Sequence, residues 1–453
     1  VLARLVTTCI QDWVESLSEF FRRLQSDMPA IAKVFGYNDV ELQNVTAGSM
    51  GLSDRHNHGR TVIDLTFNGG LRLIYKPRQL SLDVAYYRLL LWLNDQTGVL
   101  DSKILRVIER EGYGWVEYVA HCPCSDEEAV GRYYMRAGGL LAVFYLLGGG
   151  DAHFENVIAC GEYPVLIDLE TALQADVKFF QDSRYQVRAF LKANDLLAQS
   201  VLHTGLLPNW VLSPDKAAYD VSGIAGPRRH DDSTAGACAK SGFGSFGSSH
   251  NLPLLAGQPV LPFSFADEVA VGFAAVYRCL QEAARELYIP GGLLTAFTGQ
   301  PFRFIFRATR VYDQLIGSLT RPELLTDGAA WSIGADVLAR IILKPQVQDY
   351  FLWPLIQAEI EAIARLDIPY FTGCSDSGDL QLGSGKTIQD FFAVTAQSRV
   401  KAGSERLCVS DEDWQTELIR ASMRTSRQPI RESEGWKDAA RDLSRSAAKD
   451  EAE

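Results

Sequence analysis

Residues 150–170 read GDAHFENVIACGEYPVLIDLE, and they crowd polar chemistry into one short segment. Asp151, His153 and Asn156 fall in a loop opened by the glycines 148–150. An apolar run, Val165-Leu166-Ile167, then ends in Asp168 and Glu170. On a strand, side chains two apart share a face, so the two carboxylates are expected on one side. An amide oxygen and a carboxylate are hard donors, and Mg²⁺ is usually held by one or two carboxylates together with substrate phosphates. Asn156 and Asp168 are therefore the candidate Mg²⁺ ligands, and Asp151 the candidate base or hydroxyl-orienting group. His153 serves either as a proton carrier or as a histidine that orients the loop by hydrogen bonds. A plain Asx-rich turn accounts for any one of these residues. It does not account for the whole set at this spacing. Phosphoryl transfer does.

Upstream, Lys76 ends the run LRLIYK with Pro77 behind it. A lysine at the end of a strand facing a cleft can hold nucleotide phosphates as a point charge, although a solvated lysine is the commoner case. The segment Gly51 to Gly59, GLSDRHNHG, precedes the first β-like run, where a nucleotide-covering loop belongs. It is neither a Walker A motif nor Gly-x-Gly-x-x-Gly, and a polar surface turn explains it as well. Downstream, RFIFRATR alternates basic and apolar residues from Arg303 to Arg310. That pattern fits the edge of a half-buried element, and its guanidinium groups could receive a phosphate.

Elements must position these groups. Residues 9–36 carry helical periodicity ending on Gly36, which predicts a helix pair. Two β-like runs, 61–67 and 71–76, joined by Asn68-Gly69-Gly70, predict a hairpin. A helix over 82–97, strands near 104–108 and 113–119, and a helix over 127–147 follow. Helices are expected again over 265–289 and 333–365. The order is that of a kinase-like fold: α+β, two-lobed, with additional helices and a long Gly/Ser-rich insertion. The expected division is 1–47 N-terminal helical segment, 48–120 N-lobe with Lys76, 121–425 C-lobe, and 426–453 charged tail. Residues 176–260 include a long unpatterned Gly/Ser/Ala stretch, which reads as a lid or as disordered, with 232–250 expected to be mobile.

At 453 residues, with 47% hydrophobic and 22% charged residues, the composition is that of an ordinary globular protein. A net charge of −12 argues against a nucleic-acid surface. The longest apolar run, 140–147, is too short to span a bilayer. No signal-peptide layout opens the chain. Eight scattered cysteines read as reduced cytoplasmic thiols, and Cys122-Pro-Cys124 beside His121 is poor zinc evidence.

Together, FFRRLQSDMPAIAKVFG, SDRHNHGRTV, YKPRQLSLD, GDAHFENVIA, PVLIDLET and FRFIFRATRVYDQLI resemble, in this order, the dehydratase domain of the class II lanthipeptide synthetases, the LanM family. The resemblance covers almost the whole chain. It implies a lipid-kinase-like fold that phosphorylates serines and threonines of a leader-bearing precursor peptide from ATP with Mg²⁺. The same site then eliminates phosphate, leaving dehydroalanine or dehydrobutyrine. Carried over by motif, Lys76, Asp151, His153, Asn156 and Asp168 belong to phosphorylation, and Glu170 contributes to the site. Arg303 and Thr309 match positions needed for elimination. Asp54 and His56 match a further active-site pair, not divided between the two steps. The family's C-terminal cyclase is not expected within this chain. Either a longer synthetase or a separate cyclase partner is implied. The other readings are a phosphotransferase for a small molecule or lipid, which would not need Arg303 and Thr309, and an inactive module that only binds the precursor.

Overall fold

The computed structural model describes residues 1–424, apart from 39, 99, 179–195, 213–217, 230–248, 342–351 and 384. The expected mobile segment near 232–250 therefore lies mainly outside the described residues, as does the charged tail. The fold is α+β.

The N-terminal region is one helix, not the expected pair: α1 runs unbroken over Leu2–Phe35 with Pro29 inside it. It ends at Gly36, whose left-handed φ of 75° lets its N–H reach Ala32 O. Phe20, Leu24, Ile31 and Phe35 recur at helical spacing and bury one face against a sheet. That sheet has five strands in the order β1-β2-β3-β5-β4, where β1 is Val45–Ser49, β2 Ile63–Phe67, β3 Arg72–Lys76, β4 Val107–Arg110 and β5 Tyr113–Glu117. The strand expected near 104–108 thus lies slightly later. All pairs are antiparallel, and β2 and β3 form the hairpin that Asn68-Gly69-Gly70 predicts, with Ile63 opposite Tyr75. Period two decides the faces. Leu73 and Tyr75 join α1 in one core, while Ile74 turns to the other side and packs on the main core. Lys76 follows Ile74 to that side. Asp27 of α1, buried under the sheet, accepts from Trp115 Nε1 (2.9 Å), Tyr113 Oη (2.9 Å) and Arg110 Nε (2.8 Å).

The main core gathers α2 (Ser81–Gln96), α3 (Glu127–Leu147), the hairpin of β6 (Val157–Cys160) and β7 (Tyr163–Leu166), and α4 (Ala266–Leu287). Asp126 caps α3 by accepting from Ala129 N at 2.7 Å. The helix is then buried nearly all round, so it serves as the axle of this core. Its backbone touches that of α4: a Cβ on Gly138 would lie 2.0 Å from Val269 O, and one on Gly272 1.8 Å from Met135 O. Only glycine fits at that crossing. Downstream, β8 (Pro301–Phe304) precedes α5 (Thr309–Leu319), and β8 pairs with β9 (Phe371–Cys374), which follows α6 (Trp353–Ile363). The helical stretch expected over 333–365 is broken. A short helix, Gly328–Ala335, is followed by a 3₁₀ turn, Asp336–Ile341, and a further helix covers Trp353–Ile363, with 342–351 outside the described residues.

Candidate active site

The loop after α3 opens at Gly148, whose φ of 70° ends the helix. Asp151 is left-handed too, at φ 62°, a conformation an Asp tolerates better than most residues. The loop folds on itself. Asn156 Nδ2 donates to Asp151 O at 2.8 Å, and His153 Nδ1 accepts from Glu155 N at 3.2 Å. His153 Nε2 lies 3.4 Å from Asn156 Nδ2 and 3.7 Å from Asp151 Oδ1. The amide of Asn156 thereby keeps its oxygen free of these bonds.

Hairpin pairing continues one step beyond β6 and β7, because Ile167 N donates to Asn156 O at 3.0 Å. Regular strand then stops. Asp168 and Glu170 lie past the end of β7, so the alternation expected to align them does not apply. They are aligned by a third residue. Arg78 Nη2 lies 3.1 Å from Asp168 Oδ1, and its Nε 3.6 Å from Glu170 Oε2. The same guanidinium makes two bonds to Asp83, at 2.7 and 3.1 Å, in the first turn of α2. Lys76 Nζ donates to Ile167 O and stands 3.9 Å from Asp83 Oδ1. The strand lysine, the loop and the carboxylates thus meet at Ile167.

Arg303 reaches the cluster from β8. Its Nη1 lies 2.5 Å from Glu170 Oε1, and its backbone N donates to Glu170 O at 2.7 Å. Tyr370 Oη donates to Glu170 Oε2 at 3.0 Å, and its ring centroid is 5.2 Å from the Arg303 guanidinium. His56 packs on that ring at 5.1 Å, and its Nδ1 is 2.8 Å from Ile368 O. Because a carbonyl only accepts, Nδ1 carries the proton there and Nε2 is the unprotonated nitrogen. Asp54 lies close enough to His56 to act on it electrostatically.

Burial and charge pull these groups apart in acidity. Burial pushes Asp168 up, but Arg78, Lys76 and Arg303 outweigh it and hold the carboxyl below its ordinary range. Glu170 goes the other way: burial, then the Asp168 charge, raise it against Arg303 and Arg78. The protein crowded around Asp151 raises that carboxyl as well, with His153 offsetting part of the rise. Desolvation lowers Lys76, helped by Arg78. Desolvation and Arg303 take His56 down to about 4, so the imidazole is neutral near pH 7. Neighbouring titratable groups displaced in opposite directions are a common mark of acid–base chemistry.

Eight of the ten residues singled out from the sequence are drawn together by these contacts, and a ninth, Asp54, meets them only through its charge acting on His56. Thr309 is not among them: it begins α5, and among the described residues no hydrogen bond or ion pair joins it to the cluster. Arg78, Asp83 and Tyr370 were not among the sequence candidates. The first two stand inside YKPRQLSLD, where an arginine and an aspartate flanking a strand-to-helix turn were the available signal. Nothing in the sequence marked Tyr370. Hard oxygens suited to Mg²⁺ are present on Asn156 and Asp168. Among the described residues no three His, Cys, Asp or Glu side chains are placed to hold a metal by themselves. A cation shared with substrate phosphates does not require such a group. Cys122 and Cys124 are free thiols. Among the described residues no helix is long and apolar enough to cross a membrane.

Residues 1–373 match the family model described as domain of unknown function DUF4135. The chain is also 27% identical, over 451 aligned residues, to the lacticin 481/lactococcin biosynthesis protein LcnDR2 of Lactococcus lactis subsp. lactis. That alignment covers 94% of this chain and 46% of the relative, so the chain spans about half the length of the curated relative it matches. The chain belongs to the DUF4135 family, in the form associated with lanthipeptide synthetases of the LanM type.

Proposed function

We propose that this chain is a peptide dehydratase that works in two steps at one site: ATP-dependent phosphorylation of serine and threonine in a precursor peptide, then elimination of the phosphate. The observation that carries the proposal is Glu170. Its carboxylate is bonded to Arg303, from the elimination set, and lies against Arg78, which binds Asp168 from the phosphorylation set. One buried centre therefore serves both. The relative's role in lacticin 481/lactococcin biosynthesis supports a lantibiotic precursor as substrate.

In the first step, Asp151 takes the proton of the attacking hydroxyl as its oxygen bonds to the terminal phosphorus. The bond from that phosphorus to the bridging oxygen breaks, and ADP leaves. A positioned base of this kind contributes roughly 10²–10⁴-fold. Lys76 holds the transferred phosphate as a point charge. Asn156 and Asp168 would hold Mg²⁺, which when bound neutralises phosphate charge. In the second step a base removes the Cα proton, the Cβ–O bond breaks, and a Cα=Cβ double bond remains. Hydroxide leaves poorly. Phosphate beside Arg303 leaves far more readily, because the guanidinium meets the charge as it develops. The five-stranded sheet carrying Lys76, with an acid in the following helix and the Asp-x-His-x-x-Asn loop after α3, supports a kinase-like arrangement with lobes at 48–120 and 121–425.

Mass spectrometry of a leader-bearing precursor incubated with protein, ATP and Mg²⁺ tests this reading. Loss of one water per modified residue is expected, abolished in Lys76→Ala. Stable phosphate gain with no loss of water would leave a kinase and remove the lyase step.

A further inference from the structure

Residues 367–374, DIPYFTGC, join α6 to β9, and they hold three separate pieces of the site. The buried Asp367 carboxylate accepts from His58 N at 2.7 Å and from Gly59 N at 3.1 Å, with Arg55 Nε at 3.4 Å. Ile368 N donates to Arg55 O at 2.8 Å, while Ile368 O receives His56 Nδ1 at 2.8 Å. The loop carrying Asp54 and His56 is thus pinned to this segment from Arg55 to Gly59. Two residues on, β9 pairs with β8, setting Thr372 opposite Arg303. Tyr370 stands between the pinned loop and the paired strand.

Its contacts share the two oxygens of Glu170. Oε1 is taken by Arg303 at 2.5 Å and Oε2 by Tyr370 Oη at 3.0 Å. One donor on each oxygen fixes the plane of a carboxylate. Without the phenol, Oε2 keeps only the longer approach of Arg78 Nε at 3.6 Å among the described ion pairs and hydrogen bonds. The ring itself supports Arg303 on one side and His56 on another. Among the described residues, no hydrogen bond joins Tyr370 to Lys76, Asp151 or Asn156.

We infer that Tyr370 is a positioning residue for the elimination step, holding Glu170 and Arg303 in register with each other and with the loop of His56. This rests on the two-step reading above. Phosphorylation, served by groups Tyr370 does not touch, should depend on it little.

The test separates the steps. Wild type, Tyr370→Phe and Tyr370→Leu are given a synthetic precursor already carrying phosphoserine, with Mg²⁺ and ADP, and separately the plain precursor with ATP. Tyr370→Phe is expected to lower kcat for elimination about tenfold, the order of one hydrogen bond to a charged group, with KM within about twofold. Its phosphorylation rate should stay within about twofold of wild type. Tyr370→Leu, which also removes the ring, should lose more of the elimination rate. Equal losses in both steps, or an unchanged elimination rate in Tyr370→Phe, would overturn the inference alone. A wild-type protein that does not eliminate the phosphopeptide would overturn the two-step reading, and this inference with it.

Discussion

Arg303 and Arg307 stand four residues apart in FRFIFR, and each meets a glutamate that also accepts from a tyrosine hydroxyl. At the first centre, Glu170 is held by Arg303 and Tyr370. At the second, Glu359 accepts from Arg307 Nε at 2.7 Å and Nη2 at 3.3 Å, and from Tyr312 Oη at 2.6 Å. Burial raises the pKa of both glutamates above the ordinary carboxyl value. The resemblance stops there. Glu359 is 0% exposed and, among the described residues, answers to a single cation, whose Nη2 also bonds Leu338 O. Glu170 shares Arg78 with Asp168, whose side chain is 36% exposed, and Lys76 lies just behind. A closed pair satisfies itself and fixes structure. An open network keeps charge in competition and can exchange an internal partner for a ligand.

The sharpest way to break this contrast is to remove the two arginines. Arg307→Ala strands a buried carboxylate, and stability should fall by about 3–5 kcal/mol, read from urea denaturation midpoints and slopes. Its ratio of dehydrated to phosphorylated product, per folded molecule, should not change. Arg303→Ala should do the reverse: elimination slowed about 10²–10³-fold, with phosphorylated precursor accumulating in the mass spectrum. If the two variants behave alike, the contrast between open and closed centres is lost.

A finer comparison uses the tyrosines. Tyr312→Phe removes one hydrogen bond to a buried carboxylate and should cost about 1.5–3 kcal/mol of stability without altering the product ratio. Equilibrium unfolding beside a product assay decides this, and an altered ratio would count against a purely structural Glu359 centre.

The smallest effect expected is one of pH. His56 is lowered from 6.5 to about 4 in the folded chain, so the unfolded chain binds more protons between those values. Stability from this group is complete above about pH 6.5 and drains away as pH falls towards about 4. His56→Gln should flatten that share of the acid loss in urea midpoints measured from pH 7 to pH 5. An identical slope in both proteins would remove His56 from the account.

Much of the site was legible because its chemistry is local. Asp151, His153 and Asn156 lie within six residues, and their loop and the hairpin behind it follow from glycine and strand signals. The helices over 82–97 and 127–147 were readable for the same reason: their apolar patterns match nearest-neighbour geometry. The N-terminal segment misled because periodicity continues across Pro29, and a proline inside a long apolar face need not divide it when the sheet packs against both sides. Sequence alone supplied the candidate groups, the hairpin that carries Lys76, and the order in which the pieces come. Only the tertiary structure decided that Arg78 would align Asp168 and Glu170 beyond the end of their strand, and that Tyr370, 200 residues from Glu170, would close the same carboxylate. Those are charge and hydrogen-bond pairings between distant segments. A residue's type sets what it can pair with, and the fold sets which partner arrives.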